Sequence, residues 1–375
     1  MDINTPLVEQ FAAPFLGPFG VYQKPLPKSY LGDVEITQNF TGWDFTRFHV
    51  SDISVFADNV DVVGGNIDDY YDRGSNTNGR FASADEVTIQ GWGSKNTFTA
   101  VYDNADLGGV FNTTSILFAY DDVRQDGYYN TTHITFAFDD IEIGGFGNTV
   151  STGWNDDYVT LEEGGNTVFT GHGEDEVEGS GGNDEIHAGS GDDFVFANAG
   201  DDTVYAGNGD DDIYGNDGND YLEGGDGNDD IHGGNGNDVI LGGNDDDHLG
   251  GGNGDDIMGG GAGNDYLHGG NGNDTLVDGD GSDYLSGGNG ADTFLFVQDG
   301  ESDTGSLGWG DNEADLVLVQ GVGTGSGDLT LYGVGTEDSV LGFTESGHEI
   351  DLGALALASE GSFTIGTDYF DINFA

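Results

Sequence analysis

Fourteen aspartates recur at nine-residue intervals between Thr170 and Leu295, and they are the side chains best placed to do chemistry. They are Asp175, Asp184, Asp193, Asp202, Asp211, Asp220, Asp229, Asp238, Asp247, Asp256, Asp265, Asp274, Asp283 and Asp292. Two other positions keep step with them. The residue two places after each Asp is apolar throughout, from Val177 and Ile186 to Leu285 and Phe294. The residue two places before is Gly in every copy but one, where Asp245 stands. Stacked as neighbouring coils, such carboxylates would lie about 4.8 Å apart and repel one another if left bare. A hard dication with oxygen ligands resolves the conflict. Ca²⁺ accepts six to eight oxygens at about 2.3–2.6 Å in flexible geometry, whereas Mg²⁺ wants a stricter octahedron and gives up water reluctantly. The expected cofactor is therefore calcium, with all fourteen aspartates as metal ligands. Seven turns on each edge leave about six gaps, so roughly a dozen ions are expected.

The elements that must hold these carboxylates follow from the repeat, G-G-x-G-x-D-x-U-x with U apolar. Its first six residues turn tightly, which Gly permits by reaching positive φ. Its last three form a short strand whose middle side chain points inward while its neighbours point outward. Stacking the strands sets U over U and builds a thin core that no single repeat could bury alone. A disordered acidic linker would have no reason to keep that apolar row.

The stretch resembles the RTX family of secreted bacterial calcium-binding proteins, whose nonapeptide it reproduces. The resemblance implies a parallel β-roll with two repeats per coil, and Ca²⁺ held between turns of one edge by the position-six Asp and turn carbonyls. It also implies one-step type I export through an uncleaved C-terminal signal. Remaining unfolded in low calcium and folding in calcium outside the cell is a coherent cycle for such a chain.

The whole 375-residue chain carries 71 acidic and 7 basic residues, a net charge of −64. Nucleic acid is thereby excluded as a partner, since phosphate backbones need basic surface. The chain self-repels until cations neutralise it. With no Cys, packing and metal must hold the fold. No apolar run is long enough to make a transmembrane segment. Met1 to Tyr30 lacks a basic start followed by an apolar core, so no conventional signal peptide is expected.

Residues 1–30 hold all five prolines, with Phe11, Phe15, Leu16 and Phe19 between them. They read as an extended arm that packs on its own domain or docks on a neighbouring subunit. Residues 31–142 show alternating runs such as Thr97–Tyr102, Ser115–Tyr120 and Thr132–Phe138. That is the pattern of antiparallel strands in a sandwich, or of a wide solenoid cap. The nine-residue register extends backwards through degenerate copies over 143–169. Val150, Val159 and Val168 take the apolar place there, and Asn148, Asp157 and Asn166 the Asp place. Neutral Asn should bind calcium weakly or not at all, which makes 143–169 a calcium-poor end of a roll spanning 143–295. Residues 296–375 leave the register but keep strand-like runs at 316–319, 329–332, 340–343, 349–352 and 363–365. Their acidic, aromatic end is similar to RTX export signals. The expected fold is thus all-β: a calcium-binding parallel β-roll flanked by an N-terminal β-rich domain and a C-terminal β cap.

Outward positions of the roll differ between its two sheets. One carries Asp212, Asp230, His232, His248, Tyr266 and His268, with Phe194 and Phe196 near its start. The other carries Val239, Leu241, Ile257, Val277 and Leu295, an apolar row that the C-terminal segment or another subunit would cover. His232, His248 and His268 form no obvious zinc set. No H-E-x-x-H, no G-x-S-x-G and no thiol is present. Asp303-Thr304-Gly305-Ser306 is at most half an aspartic-protease dyad. Trp43, Trp92, Trp154, Tyr70, Tyr71, Tyr128 and Tyr129 are candidates for stacking on sugar, or are packing residues. The favoured expectation is a non-enzymatic secreted protein that self-assembles outside the cell as a surface layer, fibre, matrix or adhesin. The alternative is a hydrolase or a module binding cell-surface glycan within 31–142, with the roll as its export and folding device.

Overall fold

The computed structural model describes residues 86–297 except 121, 138 and 139, together with strand segments between 29 and 84 and between 303 and 374. Of the proposed arm, residues 1–30, the first 28 lie outside the described residues, and the last two open strand Ser29–Leu31. Every regular element among the described residues is a β-strand, and two compact units are formed, Met1–Gly171 and His172–Ala375.

From Glu86 onwards the strands of the first unit advance by 18 residues per coil. Lys95–Val101, Thr113–Ala119, Thr131–Phe136, Thr149–Ser151 and Thr167–Phe169 pair in sequence along one sheet. Glu86–Ile89, Ala105–Leu107, Val123–Gln125, Ile141–Ile143 and Tyr158–Leu161 pair along the other. Single bridges Trp92↔Val110↔Tyr128↔Phe146 run up one corner. Val87, Ala105, Val123, Ile141 and Val159 stack as one buried row, and Phe98, Ile116 and Ile134 as another. The pairings here are parallel, not the antiparallel ladders expected of a sandwich. Alternation reports only that one face is buried, and it is the same for either strand direction. The ladder also passes through residues 141–143 without a break.

The second unit repeats the plan with two nonapeptides per coil. Val177, Val195, Ile213, Ile231, Leu249, Leu267 and Leu285 register over one another in one sheet. In the other sheet Ile186, Val204, Leu222, Ile240, Met258, Leu276, Phe294 and Val317 do the same. All are fully buried. Each contributes on the order of 1.5–3 kcal/mol by leaving water.

Most strands here span six residues rather than three, as in Tyr221–Asp226 and Val239–Asn244. They run on through the next Gly-Gly because Gly225 and Gly243, at φ 128° and 133°, turn the corner while their backbones stay paired. Asp245 holds φ 76° where other copies have Gly. Beyond the register, Leu316–Gln320 and Ser339–Phe343 continue one sheet in parallel. Thr304–Ser306 and Leu329–Tyr332 continue the other. Glu349–Asp351, Ser362–Ile365 and Ile372–Phe374 then pair antiparallel. All five strand-like runs expected in this segment are strands.

Candidate metal centre

The turn brings each position-six Asp to a sheet corner and buries it. Asp193, Asp211, Asp229 and Asp247 on one edge, and Asp202, Asp220, Asp238 and Asp256 on the other, are 1–3% exposed. Each backbone N–H donates to Oδ1 of the Asp one coil on: Asp193 to Asp211 at 2.7 Å, Asp211 to Asp229 at 2.9 Å, Asp220 to Asp238 at 2.9 Å. Outside them a second ladder runs in the opposite sense, with Asn219 and Asn237 donating backwards to Asp201 and Asn219.

Along the run from Asp193 to Asp274 one oxygen of each carboxylate is thus satisfied, and the other is not. Oδ2 of Asp193, Asp202, Asp211, Asp220, Asp229, Asp238, Asp247, Asp256, Asp265 and Asp274 is buried without a hydrogen-bond partner. An orphaned buried anionic oxygen is costly, and a row of them calls for cations. The space they face is set by position-one glycines. A Cβ added at Gly215 would fall 2.5 Å from Asp220 Oδ2 and 2.7 Å from the carbonyl oxygen of Gly233, one coil on. Gly224, Gly233, Gly242, Gly251 and Gly269 repeat this convergence of a carboxylate oxygen and a carbonyl oxygen. Hard oxygens of both kinds around a cradle that a methyl group would fill are the donor set calcium takes. At Ala188, Ala197 and Ala206 the position carries a Cβ.

Electrostatics agree. Burial pushes Asp193, Asp202 and Asp256 up to about 7, and Asp211 and Asp247 up to about 8. Asp220, Asp229, Asp265 and Asp274 rise to about 6. Neighbouring carboxylates add to the rise, and the accepted backbone N–H opposes it. Without a metal, bare charge on these edges is disfavoured.

The first unit shows the same corner with the charge removed. Ser94, Asn112, Asn130 and Asn148 donate their N–H groups to Oδ1 of Asn112, Asn130, Asn148 and Asn166 at 2.9–3.0 Å. Where the aspartates leave Oδ2 without a partner, each amide nitrogen donates to turn carbonyls. Asn112 Nδ2 reaches Gly108 at 2.8 Å and Gly91 at 3.1 Å, and Asn148 Nδ2 reaches Gly144 at 2.9 Å and Gly127 at 3.1 Å. An NH₂ group here does locally what a cation would do. On another face Arg124 bridges Asp126, Glu142 and Glu162 at 2.8, 3.1 and 3.1 Å.

The Asp ladders outrun the nonapeptide register. Asp283 donates to Asp303 Oδ1 at 3.3 Å and Asp292 to Asp315 Oδ1 at 2.8 Å. Sequence intervals of 20 and 23 residues hide these two from a nine-residue count, but Asp315-Leu316-Val317-Leu318 keeps the D-x-U-x order with Val317 buried. Asp303-Thr304-Gly305-Ser306 is a corner and strand of this ladder. Asp278 takes the position-one place, fully buried, and accepts the N–H groups of Gly279 at 2.7 Å and Val297 at 2.9 Å. Among the sugar-stacking candidates, Tyr70 is core and packs on Phe81 at 4.5 Å. Trp92, Tyr128, Tyr129 and Trp154 are about half exposed, and Tyr129 stacks on Phe111 at 5.5 Å. The Trp43 side chain lies outside the described residues. In the roll's apolar row Ile257 is 51% exposed, the others less.

A parallel solenoid edged with buried carboxylate ladders is a calcium-binding β-roll. The family model described as the RTX calcium-binding nonapeptide repeat (4 copies) matches residues 151–186, 169–204, 187–231, 223–258 and 259–294. The chain carries RTX repeats, and these repeats bind several calcium ions. No curated protein matches the chain, and no solved structure does.

Proposed function

We propose that the fourteen repeat aspartates, joined by Asp303 and Asp315, are the calcium ligands, and that calcium folds the second unit as a rigid part of a secreted, self-assembling structural protein. The observation that carries this reading is the run of buried Oδ2 atoms without partners from Asp193 to Asp274. Seven Asp-to-Asp steps lie on each edge, 175 to 303 and 184 to 315, so a dozen or slightly more ions are accommodated. Cells hold calcium low and their surroundings hold it high, so the roll gains order only after export.

Two surfaces support assembly. Ile257 is the most exposed member of a partly exposed apolar row on the second unit. The first unit exposes Trp92, Phe111, Tyr128, Tyr129 and Phe146. Phe111 and Tyr129 hold φ 55°, where Gly93 and Gly147 stand in adjacent coils. An aromatic residue there costs on the order of 1–3 kcal/mol, a strain that persists where a surface uses the side chain. Far-UV circular dichroism of the purified chain should show in chelator only the β signal of the Asn-cornered coils and a much stronger one in millimolar calcium, with large particles then growing by light scattering. Equal β signal in both conditions would refute calcium-driven folding. A lasting monomer that cleaves or binds polysaccharide would instead favour a glycan-active module in 31–142.

A further inference from the structure

On the outer face of the second unit, three metal-ligating side chains meet away from the Asp edges. Strands Asp230–Asn235 and His248–Asn253 pair with Asp230 opposite His248 and His232 opposite Gly250. Asp230 Oδ1 lies 3.1 Å from His232 Nε2 and 2.9 Å from His248 Nδ1. The three ligand atoms all fall within 4.8 Å of one another. For bonds of about 2.0–2.2 Å to nitrogen and oxygen, neighbouring ligand atoms of a tetrahedral zinc ion stand roughly 3.3–3.5 Å apart. The two separations from Asp230 are therefore within a few tenths of an ångström of those around a bound metal, and the two imidazole nitrogens lie no more than 4.8 Å apart.

Its surroundings fix that arrangement. The His232 ring lies over Gly250, where an added Cβ would fall 3.0 Å from His232 Nδ1. Most other repeats carry a side chain at this position, such as Tyr214, Leu241 or His268. Tyr214 stacks on His232 at 5.2 Å and Tyr266 packs on His248 at 4.9 Å, bracketing both imidazoles. The strands beneath are paired on both sides, and the chain's charge of −64 draws dications towards them. Calcium prefers oxygen and gains little from imidazole, whereas zinc, copper and nickel take it readily.

We propose that Asp230, His232 and His248 form a surface site for a borderline transition dication of the zinc or copper class, with water completing the shell. The test uses the full chain in millimolar calcium, which occupies the Asp edges. Cu²⁺ is added alone and followed by electron paramagnetic resonance, with Zn²⁺ as competitor. One equivalent of copper should show coupling to two imidazole nitrogens, and only a large excess of zinc should compete with it. His248→Ala and Asp230→Asn should each weaken binding at least about 10-fold, with calcium-loaded circular dichroism unchanged. His268→Ala, on the same face but outside the set, should have no effect. His232→Gln gives a second reading should His248→Ala fold poorly. A copper signal without nitrogen coupling, or one that His248→Ala and His232→Gln leave intact, would show that the three residues are only a hydrogen-bonded cluster.

Discussion

Replacing Asp229 with Asn should move the metal-free and calcium-loaded states in opposite directions. The substitution keeps Oδ1, which accepts the Asp211 N–H at 2.9 Å. It changes Oδ2, which faces the cradle at Gly224, 2.9 Å from whose added Cβ lies the Gly242 carbonyl. In the metal-free roll, burial raises Asp229 from 3.8 to about 6, helped by Asp210 and Asp245. Holding it ionised at pH 7 then costs about 3 kcal/mol, which water at the sheet corner screens to the order of 2 kcal/mol. Asn removes that cost, and its amide gains the carbonyl partners that Asn148 already uses at 2.9 and 3.1 Å. With calcium the outcome reverses, because Asp229 stands between Asp211 and Asp247 and serves the gaps on both sides. Calorimetry should show the variant taking up one or two fewer ions, the rest binding as before. In chelator its acid-folding midpoint, followed by circular dichroism, should move to higher pH. Unchanged calcium stoichiometry, or a midpoint moved to lower pH, would refute the assignment of Oδ2 as a ligand.

Three further outcomes follow from the same edges. Folded-state values of about 7 for Asp193, 8 for Asp211 and 6 for Asp274 exceed the ordinary 3.8, so these groups stabilise the metal-free fold fully below pH about 4 and lose that contribution as pH rises through 6 to 8. Chelated protein should therefore gain β signal near pH 4–5 and lose it by pH 8, and a flat profile would contradict the burial of the ladders. Gly242→Ala puts a methyl group against Asp247 Oδ2 and 2.6 Å from the Gly260 carbonyl; calorimetry should show local calcium sites lost while Ala206, already tolerated, marks a weaker one. Ile231 is fully buried in the core row, so Ile231→Ala should cost about 2–5 kcal/mol in calcium-loaded urea unfolding, and Ile231→Asp should prevent folding of the roll; a loss below 1 kcal/mol would mean the row is not the core.

What could be read from the sequence is what recurs at fixed spacing. The Asp ladder, the U row and the division of outward faces all depend on a nine-residue period, and the pairing of Asp230 with His248 and Val239 with Ile257 follows it. Where the interval lengthens, the period fails although the physics does not: Asp303 and Asp315 keep their ladder bonds across 20 and 23 residues. The upstream coils were hidden for another reason. Before residue 143 their corner residue is Asn112 or Asn130 rather than Asp, and their strands alternate as antiparallel ones do. The legible signal was 18-residue spacing, Thr113 over Thr131 over Thr149. The histidines fall between these cases. Spacing alone separates His232 from His248 by 16 residues, and only the offset between positions nine and seven on adjacent strands brings both rings to one carboxylate.

The Asn and Asp corners together explain how one backbone plan tolerates opposite chemistries. Both use Oδ1 to accept the N–H of the preceding coil, so the backbone does not distinguish them. The choice lies in the second atom. An amide nitrogen donates to the turn carbonyls and completes the corner with no ion, whereas a carboxylate oxygen adds a negative charge beside those carbonyls and leaves the corner incomplete. One atom per turn therefore decides whether a coil is stable as synthesised or awaits calcium. A coil of the first kind costs nothing to fold in low calcium. A coil of the second kind stores its folding energy in the ion gradient, and a run of fourteen makes that dependence cooperative.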